Sequence, residues 1–177
     1  MVKQMSIGLK RGTVKVEPHQ PEWEVEARQT IDRLSDLLQG TAVDIQHVGS
    51  TAIRGICAKP IIDIAVGVKL IDDMLAKNDM LEANGFFFRG QDVPGQYLYV
   101  CGESDFRTHH IHVMEHGCEA WNNYLNMRDY LNSHEEDAKA YSDLKAKLAE
   151  QYPDDRESYT RAKSSMINDI LNKAGKG

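Results

Sequence analysis

The chain has 177 residues, of which 41% are hydrophobic and 27% charged, and a formal net charge of −6. That length lets one domain, 1–177, bury a core without staples, and that composition excludes the low-hydrophobicity, high-charge regime of disorder. The acidic balance excludes a broad nucleic-acid surface, which needs dense Lys and Arg, but leaves room for a local basic pocket. Cys57, Cys101 and Cys118 are an odd number without C-x-x-C spacing, so neither a disulfide framework nor a thiolate zinc site is expected, and a reducing, cytoplasmic setting is. No apolar run is long enough for a signal peptide or a membrane span.

In chain order, residues 1–12 read as a loosely ordered arm and Thr13 to Glu17 as a short strand. Pro18 and Pro21 punctuate the chain, and Pro21 suits a helix start because its missing N–H costs nothing there. Trp23, Ala27, Ile31, Leu34 and Leu38 then form one apolar stripe, which predicts a helix over 21–39 closed by Gly40. Val43, Ile45 and Val48 predict a short strand leading into a Gly49-Ser50 turn. The unbroken run Ile61 to Val68 predicts a buried central strand paired with it, and the Lys59-Pro60 step between them allows only a short helical turn.

Leu70 to Ala83 carries helical spacing and stops at Asn84-Gly85. Phe86 to Arg89, Tyr97 to Cys101 and His109 to Glu115 are rich in aromatic and β-branched residues and predict three further strands. From Glu119 the period is helical throughout, in three helices. Ser133 with Glu136 matches a capping box, and Pro153-Asp154-Asp155 separates the last two helices.

Three groups of residues carry the chemistry. A glycine at Gly49 lets backbone approach a phosphate, whose oxygens Ser50 and Thr51 can bind. Asp63 lies inside an apolar strand, where a carboxylate is costly unless it meets a metal, a cation such as Lys59, or backbone donors. By alternation it shares its face with Ile61 and small Ala65. His110 and His112 project from one face of their strand and suit a metal, a phosphate, a proton relay or plain polar satisfaction, with His47 able to join them if the strands are neighbours. Arg107, Arg128, Lys145, Arg161 and Lys163 are further anion contacts to weigh. Arg128 stands out on the apolar face of its helix, where it either binds an anion or pairs with Asp129.

Taken together, His47-Val48-Gly49-Ser50-Thr51-Ala52-Ile53, Ala58-Lys59-Pro60-Ile61-Ile62-Asp63-Ile64, His110-Ile111-His112-Val113 and Arg128-Asp129-Tyr130-Leu131 resemble the GrpB, or glutamate-rich protein, family. The spaced Tyr141/Lys145 and Tyr159/Lys163 match as well, and the resemblance runs from about Val14 to Ile170. It implies an α+β fold: a mixed β-sheet of the polymerase-β-type nucleotidyltransferase kind, with an N-terminal helix and a C-terminal set of three helices. In that superfold a Gly-Ser turn precedes a strand bearing Asp-x-Asp or Asp-x-Glu, whose acids hold divalent ions against nucleotide phosphates.

Gly49-Ser50 and Asp63 match this pattern, but the second acid falls at Ala65. His110 and His112 fall in the region of the third acid, and imidazole favours transition metals over magnesium. The resemblance thus implies a nucleotide or phosphorylated small molecule as ligand, held by Gly49, Ser50, Thr51, Lys59 and Arg128. With the second acid missing, the residues themselves point to a divalent ion (Mg, Mn or Zn) on Asp63, His110 and His112, which His47 joins if the strands are neighbours, and to catalysis by Asp63, His110 and His112. Nucleotidyl or phosphoryl transfer, ligand binding without turnover, and metal-assisted hydrolysis all remain open.

Overall fold

The computed structural model describes residues 6–175. Its centre is a six-stranded mixed sheet. Strand β1 is Leu9–Lys10, β2 Ala42–Val48, β3 Ile62–Val68, β4 Phe87–Phe88, β5 Tyr97–Glu103 and β6 Phe106–Glu115. They lie in the order β2-β3-β6-β5-β4, with β1 also on β6. Only β3 and β6 run parallel; the other pairs are antiparallel. The helices are α1 (Glu22–Leu37), α2 (Asn78–Ala83), α3 (Glu119–Ser133), α4 (Glu135–Gln151) and α5 (Arg156–Ala174).

The continuous apolar run of β3 marks a strand covered on both faces. Ile62, Ile64, Val66 and Val68, with Ile111 and Val113 of β6, form the larger core against Trp23, Ala27 and Leu34 of α1. On the other face, Ala65, Val48 and Met114 pack against Trp121 of α3. A third cluster, including Ile53, Leu131, Tyr141 and Ile170, ties the turn after β2 to α3, α4 and α5. The three C-terminal helices are thereby clamped over the end of the sheet where β2 stops and β3 starts.

Several local expectations change. Thr13 to Glu17 makes a single bridge, Glu17 to Ala58, rather than a strand. Its alternation instead serves docking, since Val14 packs on Leu148, Ala149 and Tyr159 and its N–H bonds the Pro153 carbonyl. Of the arm read as loose, residues 1–5 lie outside the described residues, whereas 6–12 are fastened. The Trp23 indole donates to the Ser6 carbonyl, Gly8 N–H to Pro60, and Leu9–Lys10 pair with β6.

The helix expected over Leu70 to Ala83 is a 3₁₀ stretch, Ile71–Lys77, followed by α2. Tyr97 and Tyr99 of β5 donate to Asp72 and Asn78, pinning the tighter stretch to the sheet. Ser133 ends α3 instead of capping α4, because its hydroxyl donates backward to the Asp129 and Tyr130 carbonyls.

Candidate functional site

The site begins where β2 ends. Gly49 has φ 73°, the left-handed region, and a Cβ there would stand 2.6 Å from Asp63 Oδ2. Glycine is therefore required twice, by the turn and by the close approach of the backbone to the carboxylate. A 3₁₀ turn, Ser50–Ala52, follows at once.

Parallel register then assembles residues that are far apart in the chain. Asp63 pairs with His110 and Ala65 with His112, so the carboxylate and both imidazoles leave one face of the sheet. His112 Nε2–H donates to Asp63 Oδ1 at 2.9 Å, since an ionised carboxylate can only accept, and His110 Nδ1 lies 3.7 Å from the same oxygen. Burial by itself raises the Asp63 carboxyl, but the hydrogen bonds and charge of His110 and His112 outweigh it and hold Asp63 well below the usual carboxylate range. His112 stacks on Tyr124 of α3, with ring centres 5.3 Å apart, which fixes its plane. His110 is only 8% exposed, and its Nε2 is buried without a hydrogen-bond partner. Such an orphaned ring nitrogen is costly unless something else meets it.

The ligand atoms of Asp63, His110 and His112 all lie within 4.8 Å of one another. Two imidazoles and one carboxylate suit a borderline transition ion such as zinc or manganese. They do not suit the two-magnesium carboxylate cage: Ala65 is fully buried beside His112, where the second acid would stand. His47 is not part of the trio. It pairs with Ile64 and so projects to the opposite face, where its ring bonds Thr51 Oγ1 at 2.9 Å. Burial pushes its pKa down to about 4, leaving a neutral imidazole.

Asp63 and His110 face a cleft of about 410 Å³ between the sheet and the C-terminal helices, with His112 behind them on Asp63. Gly49 and Ser50 line it as well. Met127, Ile167 and Leu171 give it an apolar wall. Thr51 and Arg128 also border it, but their polar groups are taken. The Thr51 hydroxyl is held by His47, while Arg128 reaches Asp129 at 2.8 Å, Gln46 at 2.9 Å and the His47 carbonyl at 3.0 Å. Arg128 thus braces the end of β2. Arg107, beside β1, and Arg161, paired with Glu157, stand away from the cleft.

Lys59, Lys145 and Lys163 line the same cleft. Lys145 is 1% exposed, donates to the Cys57 carbonyl and lies 4.7 Å from the Tyr141 ring centre. Lys163 and Lys59 lie 4.5 and 5.6 Å from the Tyr159 ring centre. Burial first, then mutual repulsion, lowers Lys145 to about 7 and Lys163 to about 8, although Asp63 and, at Lys145, Cys57 pull the other way. Lys59 shifts down for the same leading cause, burial. Tyr124, Tyr141 and Tyr159 are site residues that the sequence pattern does not single out by chemistry. The repeated Tyr-x-x-x-Lys of α4 and α5 is the signal that points to two of them.

The mixed sheet, with an acid on an inner strand behind a Gly-Ser turn, has a nucleotidyltransferase-like fold by its likeness to solved structures. The Cid1 poly(U) polymerase bound to MgATP shares it at a TM-score of 0.55 and 14% identity, over 75% of this chain and 44% of that one. Within that class the chain belongs to the GrpB protein family, whose model matches residues 13–173. It is 36% identical over 173 residues to the glutamate-rich protein GrpB of Alkalihalophilus pseudofirmus, covering 94% of this chain and 98% of that one. The crystal structure of GrpB from Enterococcus faecalis superposes at a TM-score of 0.86 with 29% identity, covering 92% and 98% of the two chains. No helix among the described residues is long and apolar enough to cross a membrane.

Proposed function

We propose that the cleft binds a nucleotide or phosphorylated small molecule and transfers a nucleotidyl or phosphoryl group with the help of one divalent transition ion. The observation that carries this reading is the convergence of Asp63, His110 and His112 at a cleft that Asp63 and His110 line, with an orphaned ring nitrogen among them. Asp63, His110 and His112 would hold the ion, which when bound supplies Lewis-acid charge to a phosphoryl oxygen. Gly49 brings backbone close enough for Ser50 and its neighbours to orient a phosphate. Lys59 adds positive charge where negative charge builds up in transfer. The apolar wall of Met127, Ile167 and Leu171 excludes water from one side of the ligand.

Ala65 favours a second reading, a protein that binds the same ligand without turning it over, because one carboxylate of the fold's usual pair is missing. Thermal-shift titration with nucleotides in the presence of manganese, zinc or magnesium tests the shared part. Stabilisation by nucleotide with manganese or zinc is expected, and no shift with any combination would sink both readings. Transfer of label from ATP to a metabolite pool, abolished in Asp63→Asn, separates the first from the second.

A further inference from the structure

The three lysines are not explained by the fold. Burying an ammonium is expensive unless a carboxylate meets it. Yet among the described residues no salt bridge includes Lys59, Lys145 or Lys163. Their elements come from three parts of the chain: the loop before β3, the middle of α4 and the first half of α5. The carboxylate that favours the charge on all three is Asp63, which His110 and His112 already engage. Arg156 adds repulsion at Lys59 and Lys163. Hydrocarbon side chains at these positions would pack at less cost, so the arrangement holds positive charge in reserve for a group that arrives from outside.

Two of the ammonium groups lie within 5.6 Å of one ring centre, that of Tyr159, and the third lies beside Tyr141. All three border the same cleft as Asp63 and His110. Lysine is a compact point charge with rotatable donors, suited to phosphate oxygens. Three such charges in one cleft fit a chain of phosphates better than a single monoanion.

We propose that Lys59, Lys145 and Lys163 form a receptor for a polyphosphate group, separate from the carboxylate–imidazole trio. The assignment rests on the reading that the cleft is the ligand site, and it narrows the ligand to one carrying at least two linked phosphates, as in a nucleoside di- or triphosphate.

The test uses the full chain in EDTA with inorganic tripolyphosphate as probe, so that the metal part of the functional reading does not enter. Tripolyphosphate is expected to raise the unfolding temperature, and Lys145→Met and Lys163→Met are each expected to weaken its binding by about tenfold or more in calorimetry. Both variants keep the apolar stem while removing an ammonium that no carboxylate meets. Lys145→Met also strips the Cys57 carbonyl of its donor, so the clean case is Lys163→Met, which without ligand should unfold at a higher temperature than the parent chain. That pairing, firmer fold with weaker binding, is not what a structural role would give. No stabilisation by tripolyphosphate, equal stabilisation by orthophosphate, or variants that bind as well as the parent would each overturn the receptor. If tripolyphosphate binds through the lysines while manganese and zinc bind nowhere, the receptor stands and the metal-supported transfer falls.

Discussion

The two faces of strands β3 and β6 differ in kind. On the α1 face, Ile62, Ile64, Val66, Ile111 and Val113 belong to the larger apolar core, with His109 at its margin held by Thr30 and Glu26. On the opposite face the alternate residues, Asp63, Ala65, His110 and His112, are an acid, a small spacer and two bases. A two-residue period lets one strand pair supply a dry core and a reactive floor at once. Stability and chemistry here share a backbone but not side chains, so substitutions on the two faces should separate cleanly.

The largest effect is expected on the dry face. Ile64→Ala removes buried methylenes where the core cannot collapse and should cost about 2–5 kcal/mol of stability, read by urea unfolding. On the opposite face, His112→Ala should lower affinity for manganese or zinc by about 100-fold or more while changing stability much less, since it removes a direct ligand where loss of outer-shell partners alone costs about 10–100-fold. Metal content by elemental analysis checks this, and a variant that retains its metal would remove His112 from the trio. Gly49→Ala tests the join between faces. Its positive φ costs about 1–3 kcal/mol, and the added methyl, 2.6 Å from Asp63 Oδ2, should displace the carboxylate. Both melting temperature and metal uptake should fall. His47→Gln, by contrast, should leave metal uptake unchanged, because His47 points away from the trio.

The smallest effect is one of pH. Lys145 titrates near 7 in the folded chain against an ordinary value of 10.5. Between these values the unfolded chain binds more protons than the native one, so this group makes stability rise with pH. From pH 7 to 9 the melting temperature of the parent chain should therefore gain on that of Lys145→Met. A constant difference across that range would show that Lys145 stays charged when buried.

Much of this is legible in the residues. The stripe of Trp23, Ala27 and Leu34 predicts α1, and the β-branched run predicts β3. The alternation of His110 and His112 by itself puts both rings on one face. Thr13 to Glu17 misleads because alternation reports a half-buried extended segment and cannot say whether a strand or the helices α4 and α5 cover it. Ser133 misleads because a hydroxyl near a helix junction serves the end of one helix as readily as the start of the next. His47 is legible as a residue near the turn but not by face, since a β-strand end alone does not say which side the sheet turns inward.

Local pattern and chemistry by themselves determined the α+β order of elements, the Gly49-Ser50 turn, the unusual acid at Asp63 and the missing partner at Ala65. The tertiary structure alone decided that Asp63 meets His110 and His112, that Arg128 is spent on bracing β2, and that Lys145 and Lys163 join Lys59. The reason is range: helix and strand periods follow from neighbours a few residues apart. The parallel register of β3 on β6 and the seating of α4 and α5 are instead set by burial of side chains far apart in the chain, and those contacts bring the charges of the cleft together.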